Sequence, residues 1–227
     1  MTPVMPPAIG SATNIQTIFW DIGGVLLTNG WDVDQRARVL TRLGVDVADY
    51  ESRHDAANFY WERGLSTAED FFNQTIFYQH RSFTFHDLWS RVCAQSKILH
   101  RGSLDILGAL YASRQYKLAT LNNESRELNQ HRLDAFRLRP YFDYFICSGY
   151  VHEMKPHPGI YQAAIEISGH LPETSLFIDD KMENCEAARS MGMNAICFQS
   201  PPQLARDLVP FGIHTPREIE TELAEAK

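Results

Sequence analysis

Five short runs of consecutive apolar residues recur along the chain and predict five strands. The runs cover residues 17–20, 117–121, 144–147, 176–178 and 195–198. None of them alternates between apolar and polar positions, which is typical of strands that are covered on both faces in a parallel sheet. The pattern therefore predicts a buried parallel sheet rather than a sheet with one face in water.

Helical patterns lie between the later runs. They cover residues 104–113, 125–136, 158–168 and 183–191, and the last ends before Gly192, a residue type that often follows a helix C-terminus. Strands that alternate with helices need crossover connections, which are right-handed in nearly all sheets. The predicted fold class is therefore α/β, with a doubly wound parallel sheet and a Rossmann-like core.

The interval between the first two strands breaks this rhythm. Residues 30–115 carry no good strand pattern and predict helices over 33–43, 47–59, 67–80 and 85–99. A capping box, Ser66-Thr67-Ala68-Glu69, marks the start of the third helix. We expect most aromatic side chains of this interval to form the core of a small helical bundle. We therefore predict an N-terminal arm (1–14), a core domain (15–29 and 101–227, with a short helix at 219–227) and a helical cap domain (30–100).

Composition narrows the possible partners. Of the 227 residues, 44% are hydrophobic and 22% charged, which suits a soluble globular protein. The formal net charge of −7 argues against nucleic-acid and anionic-membrane partners. We also expect a monomer or a homodimer. No stretch approaches the roughly 18 apolar residues of a membrane span, and the N-terminus lacks the regions of a signal peptide. Four cysteines without a CxxC pair predict reduced thiols and a cytoplasmic location.

Polar residues follow four of the five predicted strands. In chain order they are Asp21, Asn122-Asn123, Lys155 and Asp179-Asp180. Each alone could be a turn residue, a helix cap or a solvated loop residue. Because the carboxyl ends of parallel strands meet at one edge of the sheet, where ligands bind, their joint occurrence indicates a functional site.

The chemistry of these groups indicates phosphoryl transfer. Asp21 and the acid pair would place oxygens around Mg²⁺, which prefers a few carboxylates together with waters and phosphate oxygens. Lys155 would hold a phosphate as a point charge, while the backbone N–H groups of Gly23 and Gly24 and the amides that follow the second strand would bind its other oxygens. A carboxylate in line with the phosphorus could form an aspartyl-phosphate, which water then hydrolyses.

Four segments between about residues 18 and 198 resemble motifs of the haloacid dehalogenase-like hydrolase superfamily. FWDIGGVL is similar to the first motif, a strand that ends in a nucleophilic Asp, and LATLNNES occupies the place of the second, where Ser or Thr contacts phosphate. EMKPHPGIY resembles the third motif with its Lys-Pro, and LFIDDKMENCEAARSMGM resembles the fourth, an acid pair followed by a helix. WERGLSTAEDFF resembles a pattern of the subfamily that carries a helical cap between the first two motifs.

The resemblance implies a role for each matching residue. Asp21 would be the nucleophile and a Mg²⁺ ligand, and the Gly23 carbonyl would also bind Mg²⁺. Asp180 would be the direct acidic ligand, and Asp179 would either bind the metal too or contact its ligands without binding it. Lys155 would stabilise the charge of the reacting group. The resemblance therefore implies a Mg²⁺-dependent phosphatase of a small phosphorylated metabolite.

Two positions depart from the pattern of the superfamily. The resemblance makes Asn122 and Asn123 phosphate contacts, although Ser or Thr is usual at position 122. The larger departure is Gly23, where phosphatases usually carry a second Asp that protonates the leaving group. General acid–base help is worth about 10²–10⁴-fold, so its absence need not abolish activity.

Two other functions stay open. A haloacid dehalogenase also uses an Asp nucleophile but attacks carbon without a metal, and its first motif, D-x-Y-G-T-L, differs from D-I-G-G-V-L in this chain. A member that binds a phosphorylated ligand with weak catalysis would fit the departures at Gly23 and Asn122. The substrate depends on cap residues that face the cleft, for which the candidates are Trp31, Tyr60, Trp61 and Arg63, although the sequence favours a solvated helix end before Gly64 for Arg63.

Overall fold

The computed structural model describes residues 14–216, so the predicted N-terminal arm apart from Asn14, and the predicted helix at 219–227, lie outside the described residues. Five strands form one parallel sheet in the order β3-β2-β1-β4-β5. They are β1 (Thr17–Trp20), β2 (Lys117–Asn122), β3 (Tyr144–Cys147), β4 (Ser175–Asp179) and β5 (Asn194–Cys197). The predicted α/β fold with a Rossmann-like parallel sheet is confirmed.

The central strand β1 pairs with β2 on one side and β4 on the other. All of its side chains are fully buried. Because side chains alternate along a strand, Ile18 and Trp20 pack into the apolar cluster on one face of the sheet, and Phe19 packs into the cluster on the other. This double burial explains why the sequence of β1 is continuously apolar.

Helices cover both faces of the sheet and fill the interval between β1 and β2. Four lie in that interval before the sheet-packing helix α5, namely α1 (Val33–Arg42), α2 (Val47–Trp61), α3 (Ala68–Thr75) and α4 (Phe85–Cys93). The others are α5 (Arg101–Ser113), α6 (Arg126–Ala135), α7 (Ser148–Val151), α8 (Pro158–Ser168), α9 (Met182–Ser190) and α10 (Pro201–Leu208). Single 3₁₀ turns lie at Arg139–Tyr141, Pro172–Thr174 and Val209–Phe211. Within residues 14–216, no helix combines the length and the apolar character that crossing a bilayer requires.

The helical insert α1–α4 packs around an apolar cluster of its own. Trp61 stacks on Phe71 with ring centroids 4.3 Å apart, and Trp31 meets Phe72 edge-on at 6.0 Å. Leu128 of α6 also belongs to this cluster, so the insert packs against the core through that helix. The insert lies where the sequence places it, while the domain boundaries at residues 30 and 100 stay a prediction.

Two helices of the insert end earlier than predicted, at Thr75 instead of 80 and at Cys93 instead of 99. The chain leaves α4 because it returns alongside the loop that follows β1. Thr28 N–H donates to the Lys97 carbonyl at 2.9 Å, and Leu99 N–H donates to the Leu26 carbonyl at 3.0 Å. These bonds hold the two connections between insert and core side by side.

The capping box of α3 is one residue later than predicted. Thr67, not Ser66, is the N-cap, and its Oγ1 accepts the Asp70 N–H at 3.1 Å. Asp70 in turn accepts the Thr67 N–H at 3.0 Å, so the acid of the box is Asp70 rather than Glu69. Thr67 and Asp70 together satisfy the two backbone donors of a capping box with a shorter acid, which is why a search for Glu alone misplaces the box.

Candidate active site

The loops after β1 and β4 meet at the carboxyl edge of the sheet, together with the loop after α7. Asp21 follows β1 directly, and its N–H donates to the Ile178 carbonyl of β4 at 2.9 Å. Asp179 ends β4, and Lys155 reaches the same point from the loop after α7. The structure therefore brings together Asp21, Lys155, Asp179 and Asp180, as the sequence predicts.

The Lys155 ammonium is almost fully buried and has three oxygen partners. It lies 3.1 Å from Asp21 Oδ1 and 2.6 Å from Asp179 Oδ2, and it donates to the Leu121 carbonyl at 2.9 Å. Burial by itself would lower the pKa of Lys155, but the charges of the two carboxylates outweigh it and raise the pKa. Lys155 is therefore a fixed positive charge directly beside Asp21.

The Asp21 carboxyl is buried beside one positive and two negative side chains. Burial raises its pKa to about 7, Lys155 opposes this shift, and the nearby charges of Asp179 and Asp180 reinforce it. Burial and the charge of Asp179 also raise the pKa of Asp180. A cation placed between these carboxyls would favour their ionised forms.

The three acids fit a site for a hard divalent cation. Asp21, Asp179 and Asp180 each offer a carboxylate oxygen, and these oxygens lie within 4.8 Å of one another. Oδ1 of Asp180 is buried and has no hydrogen-bond partner among residues 14–216. Oxygen donors, and an unpartnered one among them, match the preference of Mg²⁺.

Asp179 differs from the other two acids because its oxygens are already engaged. Oδ2 accepts from Lys155, Oδ1 accepts the Lys181 N–H at 2.8 Å, and Asn184 Nδ2 donates to Oδ1 at 2.9 Å. Asp179 is also fully buried. Its clearest function is thus to hold Lys155 in place beside Asp21.

Gly24 is required for close packing, and its predicted contact with phosphate needs correction. Its φ is +76°, and a Cβ there would lie 2.2 Å from Asp180 Oδ2. Its N–H already donates to the Leu27 carbonyl at 2.8 Å, which removes the donor that the prediction assigned to phosphate. Gly24 therefore makes room for Asp180, whereas Gly23 does line the cavity described below.

The two asparagines after β2 have different surroundings. Asn122 is buried and donates to Asn129 Oδ1 at 3.0 Å, away from the cavity wall, so its predicted phosphate contact is not supported. Asn123 does line the cavity. Its side chain accepts the Lys155 N–H at 2.8 Å and donates to the Lys155 carbonyl at 2.8 Å. Asn123 thus positions the backbone of Lys155.

A cavity of about 270 Å³ lies between the sheet edge and the helical insert. The core contributes the charged groups described above, and the insert contributes a second wall of mixed character, formed by Trp31, Arg36, His54, Asn58, Trp61 and Glu62. Two of the four candidate cap residues, Trp31 and Trp61, are therefore in the wall. Tyr60 is exposed elsewhere, and Arg63 lies over the Phe59 ring and donates to the Phe59 carbonyl.

Sequence reasoning missed an ion pair in the core wall of the cavity. Arg132 Nη1 donates to Glu124 Oε2 at 2.8 Å, and the two side chains are only 3% and 8% exposed. Burial raises the pKa of Glu124 to about 7, Arg132 opposes the shift and Glu62 adds to it. The available signal was an arginine four residues after Leu128, within the buried stripe of α6.

Known proteins resemble this chain in sequence and in fold. A model of the family described as haloacid dehalogenase-like hydrolase matches residues 15–192. Flavin mononucleotide hydrolase 1 of Arabidopsis thaliana is 28% identical over 167 residues, covering 72% of this chain and 65% of that protein. Phosphoglycolate phosphatase of Aquifex aeolicus is 29% identical over 108 residues, covering 47% of this chain and 51% of that protein. The chain thus spans about half to two thirds of the length of these relatives.

A solved structure shares the fold. The HAD family enzyme of Bacteroides thetaiotaomicron, in complex with magnesium and inorganic phosphate, has a TM-score of 0.71 at 21% identity and covers 82% of this chain and 94% of its own. The family model spans well over half of the chain and contains every site residue from Asp21 to Asp180. This chain belongs to the haloacid dehalogenase-like hydrolase family.

Proposed function

We propose that the protein is a Mg²⁺-dependent phosphatase of a small phosphorylated metabolite, acting through an aspartyl-phosphate on Asp21. The observation that carries the proposal is the position of Lys155 Nζ, 3.1 Å from Asp21 and 2.6 Å from Asp179. It keeps a buried carboxylate available as a nucleophile and places a positive charge where a phosphoryl group would be attacked. A turn or a helix cap would need neither the burial nor this lysine.

The residues of the chain divide the work of the reaction. An oxygen of Asp21 bonds to phosphorus, and the ester P–O bond breaks with its electron pair on the leaving oxygen, which takes a proton from water. A second water then attacks the phosphorus and gives a proton to the hydroxide that the first water left. The bond between phosphorus and the Asp21 oxygen breaks, so that inorganic phosphate is released and Asp21 is again a free carboxylate. Lys155 balances the charge at each step, while Asn123 and Asp179 hold it in place.

Mg²⁺ would be held by Asp21, Asp180 and the Gly23 carbonyl, with Asp179 beside them. When bound, it supplies charge neutralisation and orients the phosphate. The unpartnered Oδ1 of Asp180 and the space that Gly24 leaves beside this carboxylate support the assignment. The magnesium and phosphate bound to the Bacteroides enzyme of the same fold support it further.

The relatives support phosphate monoesters as the substrate class. Their names describe hydrolysis of flavin mononucleotide and of phosphoglycolate, and both molecules carry a phosphate monoester. Within this class the individual substrate would be set by the cap wall. The cytoplasmic location stays a prediction, because the Arabidopsis relative is named as a chloroplast protein.

The decisive experiment compares Asp21→Asn with the native chain on p-nitrophenyl phosphate, with and without Mg²⁺. We expect the native chain to require Mg²⁺ and the variant to lose at least about 10³-fold in kcat, because no other group can replace the nucleophile. Asp105→Asn is the matched control, since Asp105 is exposed on α5. Unchanged turnover in Asp21→Asn would contradict the assignment.

Two results would favour the alternatives. Chloride release from a 2-haloacid in the presence of a chelator would indicate a dehalogenase. The absence of hydrolysis across a panel of phosphorylated metabolites, together with a raised Tm for one of them, would indicate a binding protein.

A further inference from the structure

Asn29 and Arg132 lie beside Gly23, the position where phosphatases of the superfamily usually carry a second Asp. A Cβ added at Gly23 would lie 3.0 Å from Asn29 Oδ1 and 3.7 Å from Arg132 Nη2. Gly23, Asn29 and Arg132 all line the cavity. A side chain at position 23 would therefore start between the Asn29 amide and the guanidinium of Arg132, which is paired with Glu124 in the same cavity wall.

Arg132 is held from two sides but keeps free hydrogen-bond donors. Nη1 donates to Glu124 Oε2, and Nη2 donates to the Thr28 carbonyl in the loop after β1. Nε is buried without a hydrogen-bond partner among residues 14–216. A guanidinium has five N–H donors, so these contacts fix the fork without using all of them.

The second arginine of the cavity wall offers a useful contrast. Arg36 gives Nε and Nη2 to Glu51 at 2.6 and 2.9 Å, and Nη1 to the Trp31 carbonyl at 3.3 Å. Both of its terminal nitrogens and Nε are thus engaged within the insert. Each terminal nitrogen of both arginines keeps a second N–H, but Arg132 is the one whose Nη2 lies 3.7 Å from a Cβ built at Gly23.

We infer that Arg132 takes over the leaving-group function of the missing acid, by stabilising the negative charge that develops on the ester oxygen of the substrate. The inference rests on the proposed phosphatase function and deepens it. As Asp21 bonds to phosphorus, the ester P–O bond breaks and its electron pair moves to the leaving oxygen. Arg132 donates hydrogen bonds to that oxygen and keeps its own proton, and the oxygen takes a proton from water.

Glu124 is placed to position Arg132. Its Oε2 accepts from Arg132, and its Oε1 accepts the Ser125 N–H at 3.0 Å, so both oxygens already serve as acceptors. Because burial brings the pKa of Glu124 to about 7, a proton-donor function for this group would fade above that pH. The groups that act on this carboxyl are the charges of Arg132 and Glu62.

The experiment measures kcat/KM along a series of leaving groups, from p-nitrophenyl phosphate through phenyl phosphate to glycerol phosphate. A good leaving group needs little stabilisation, whereas an alkoxide needs much. For Arg132→Met we expect a loss on the order of 10²-fold for glycerol phosphate and less than about threefold for p-nitrophenyl phosphate. Arg206→Met, at an exposed arginine of α10, is the matched control.

The ratio of kcat/KM for glycerol phosphate to kcat/KM for p-nitrophenyl phosphate separates the possible outcomes. A loss that is equal for all leaving groups would make Arg132 a structural or phosphate-binding residue and overturn the inference, as would no loss at all. If Arg132→Met does not fold by circular dichroism, the double variant Arg132→Met/Glu124→Gln, which leaves no unpaired buried carboxylate, decides by the same ratio: a selective loss supports the inference and an unchanged ratio overturns it.

A pH series distinguishes Arg132 from Glu124. Arginine does not titrate near neutrality, so in the native chain the ratio of kcat/KM for glycerol phosphate to kcat/KM for p-nitrophenyl phosphate should not fall between pH 6 and 8. A ratio that falls above about pH 7 would transfer the function to Glu124 as a proton donor and overturn the inference. If the native chain hydrolyses none of these esters, the proposed function itself fails, which is a different result from an altered ratio.

Discussion

The carboxyl edge of the sheet and the helical insert differ in the kind of side chain that they bury. The edge concentrates charge: Lys155 is nearly buried between Asp21 and Asp179, and each partner is fixed by further hydrogen bonds. The insert concentrates apolar surface, with Trp61 stacked on Phe71 in a cluster of its own. Under the proposed function, the chemistry would depend on the edge, and the insert would close the cavity and set its shape for a substrate.

Removal of the lysine at the edge should give the largest effect. Lys155→Met leaves the Asp21 and Asp179 carboxyls buried without their cation, and breaking a buried pair costs about 3–5 kcal/mol. We expect the free energy of unfolding to fall by that order and turnover of p-nitrophenyl phosphate to fall by about 10³-fold. Denaturant unfolding and steady-state kinetics measure the two quantities.

Lys117→Met is the matched control for this variant. Lys117 pairs with Asp143 at 2.9 Å, but both side chains are well exposed, and such surface pairs contribute about 0–1 kcal/mol. Turnover in Lys155→Met within tenfold of the native value would show that the charge at the edge does not carry the reaction.

A smaller effect concerns pH and the cation. Burial and the neighbouring acids raise the pKa of Asp21 from 3.8 to about 7, so the folded metal-free chain binds more protons than the unfolded chain in this range. The contribution of Asp21 to stability therefore falls as pH rises from about 4 to about 7. Because Mg²⁺ binds the ionised carboxylates, the rise in Tm that Mg²⁺ causes should grow over the same range.

Thermal unfolding at pH 5.5 and pH 8, with and without Mg²⁺, tests this expectation. Asp180→Asn provides the comparison, since it removes the proposed direct ligand and should abolish most of the Mg²⁺-dependent rise. A rise in Tm that is equal at both pH values, or is retained in Asp180→Asn, would place the cation elsewhere.

The sheet was predictable because its signals are local. A strand buried on both faces requires a continuous apolar run, and β1 and β3 have the predicted bounds. Convergence of Asp21, Lys155 and the acid pair followed from parallel topology, which places the strand ends at one edge.

The errors concern properties that a sequence does not encode locally. β2 continues one residue further than predicted, so Asn122 pairs with Cys147 inside the sheet. Successive side chains of a strand point to opposite faces. Asn122, as the last residue of β2, contacts Asn129, whereas Asn123 lies after the strand and lines the cavity. Arg132 was missed for a similar reason, because its proximity to Gly23 depends on how α6 packs against the loop after β1.

The smallest predicted effect belongs to the insert. Thr67→Ala removes the N-cap of α3, whose Oγ1 accepts the Asp70 N–H and donates to Asp70 Oδ2. Loss of such a cap costs about 1 kcal/mol, whereas Thr67→Ser keeps the oxygen and should stay close to the native value. Because Thr67 does not line the cavity, kcat for p-nitrophenyl phosphate should change by less than about twofold at a temperature where both variants are folded.

This last comparison separates the two regions most directly. If the insert mainly closes the cavity, a loss of local stability in α3 lowers the free energy of unfolding and leaves the attack on phosphorus by Asp21 unchanged. If kcat falls together with stability in Thr67→Ala but not in Thr67→Ser, the order of α3 is transmitted to the edge. The contact available for that coupling is Glu127 of α6, which accepts both the Ala68 N–H at 3.0 Å and the Trp61 indole N–H at 3.3 Å. The same helix carries Arg132. A fall in kcat in Thr67→Ala but not in Thr67→Ser would therefore show that α6 links the stability of the insert to the charged groups at the sheet edge.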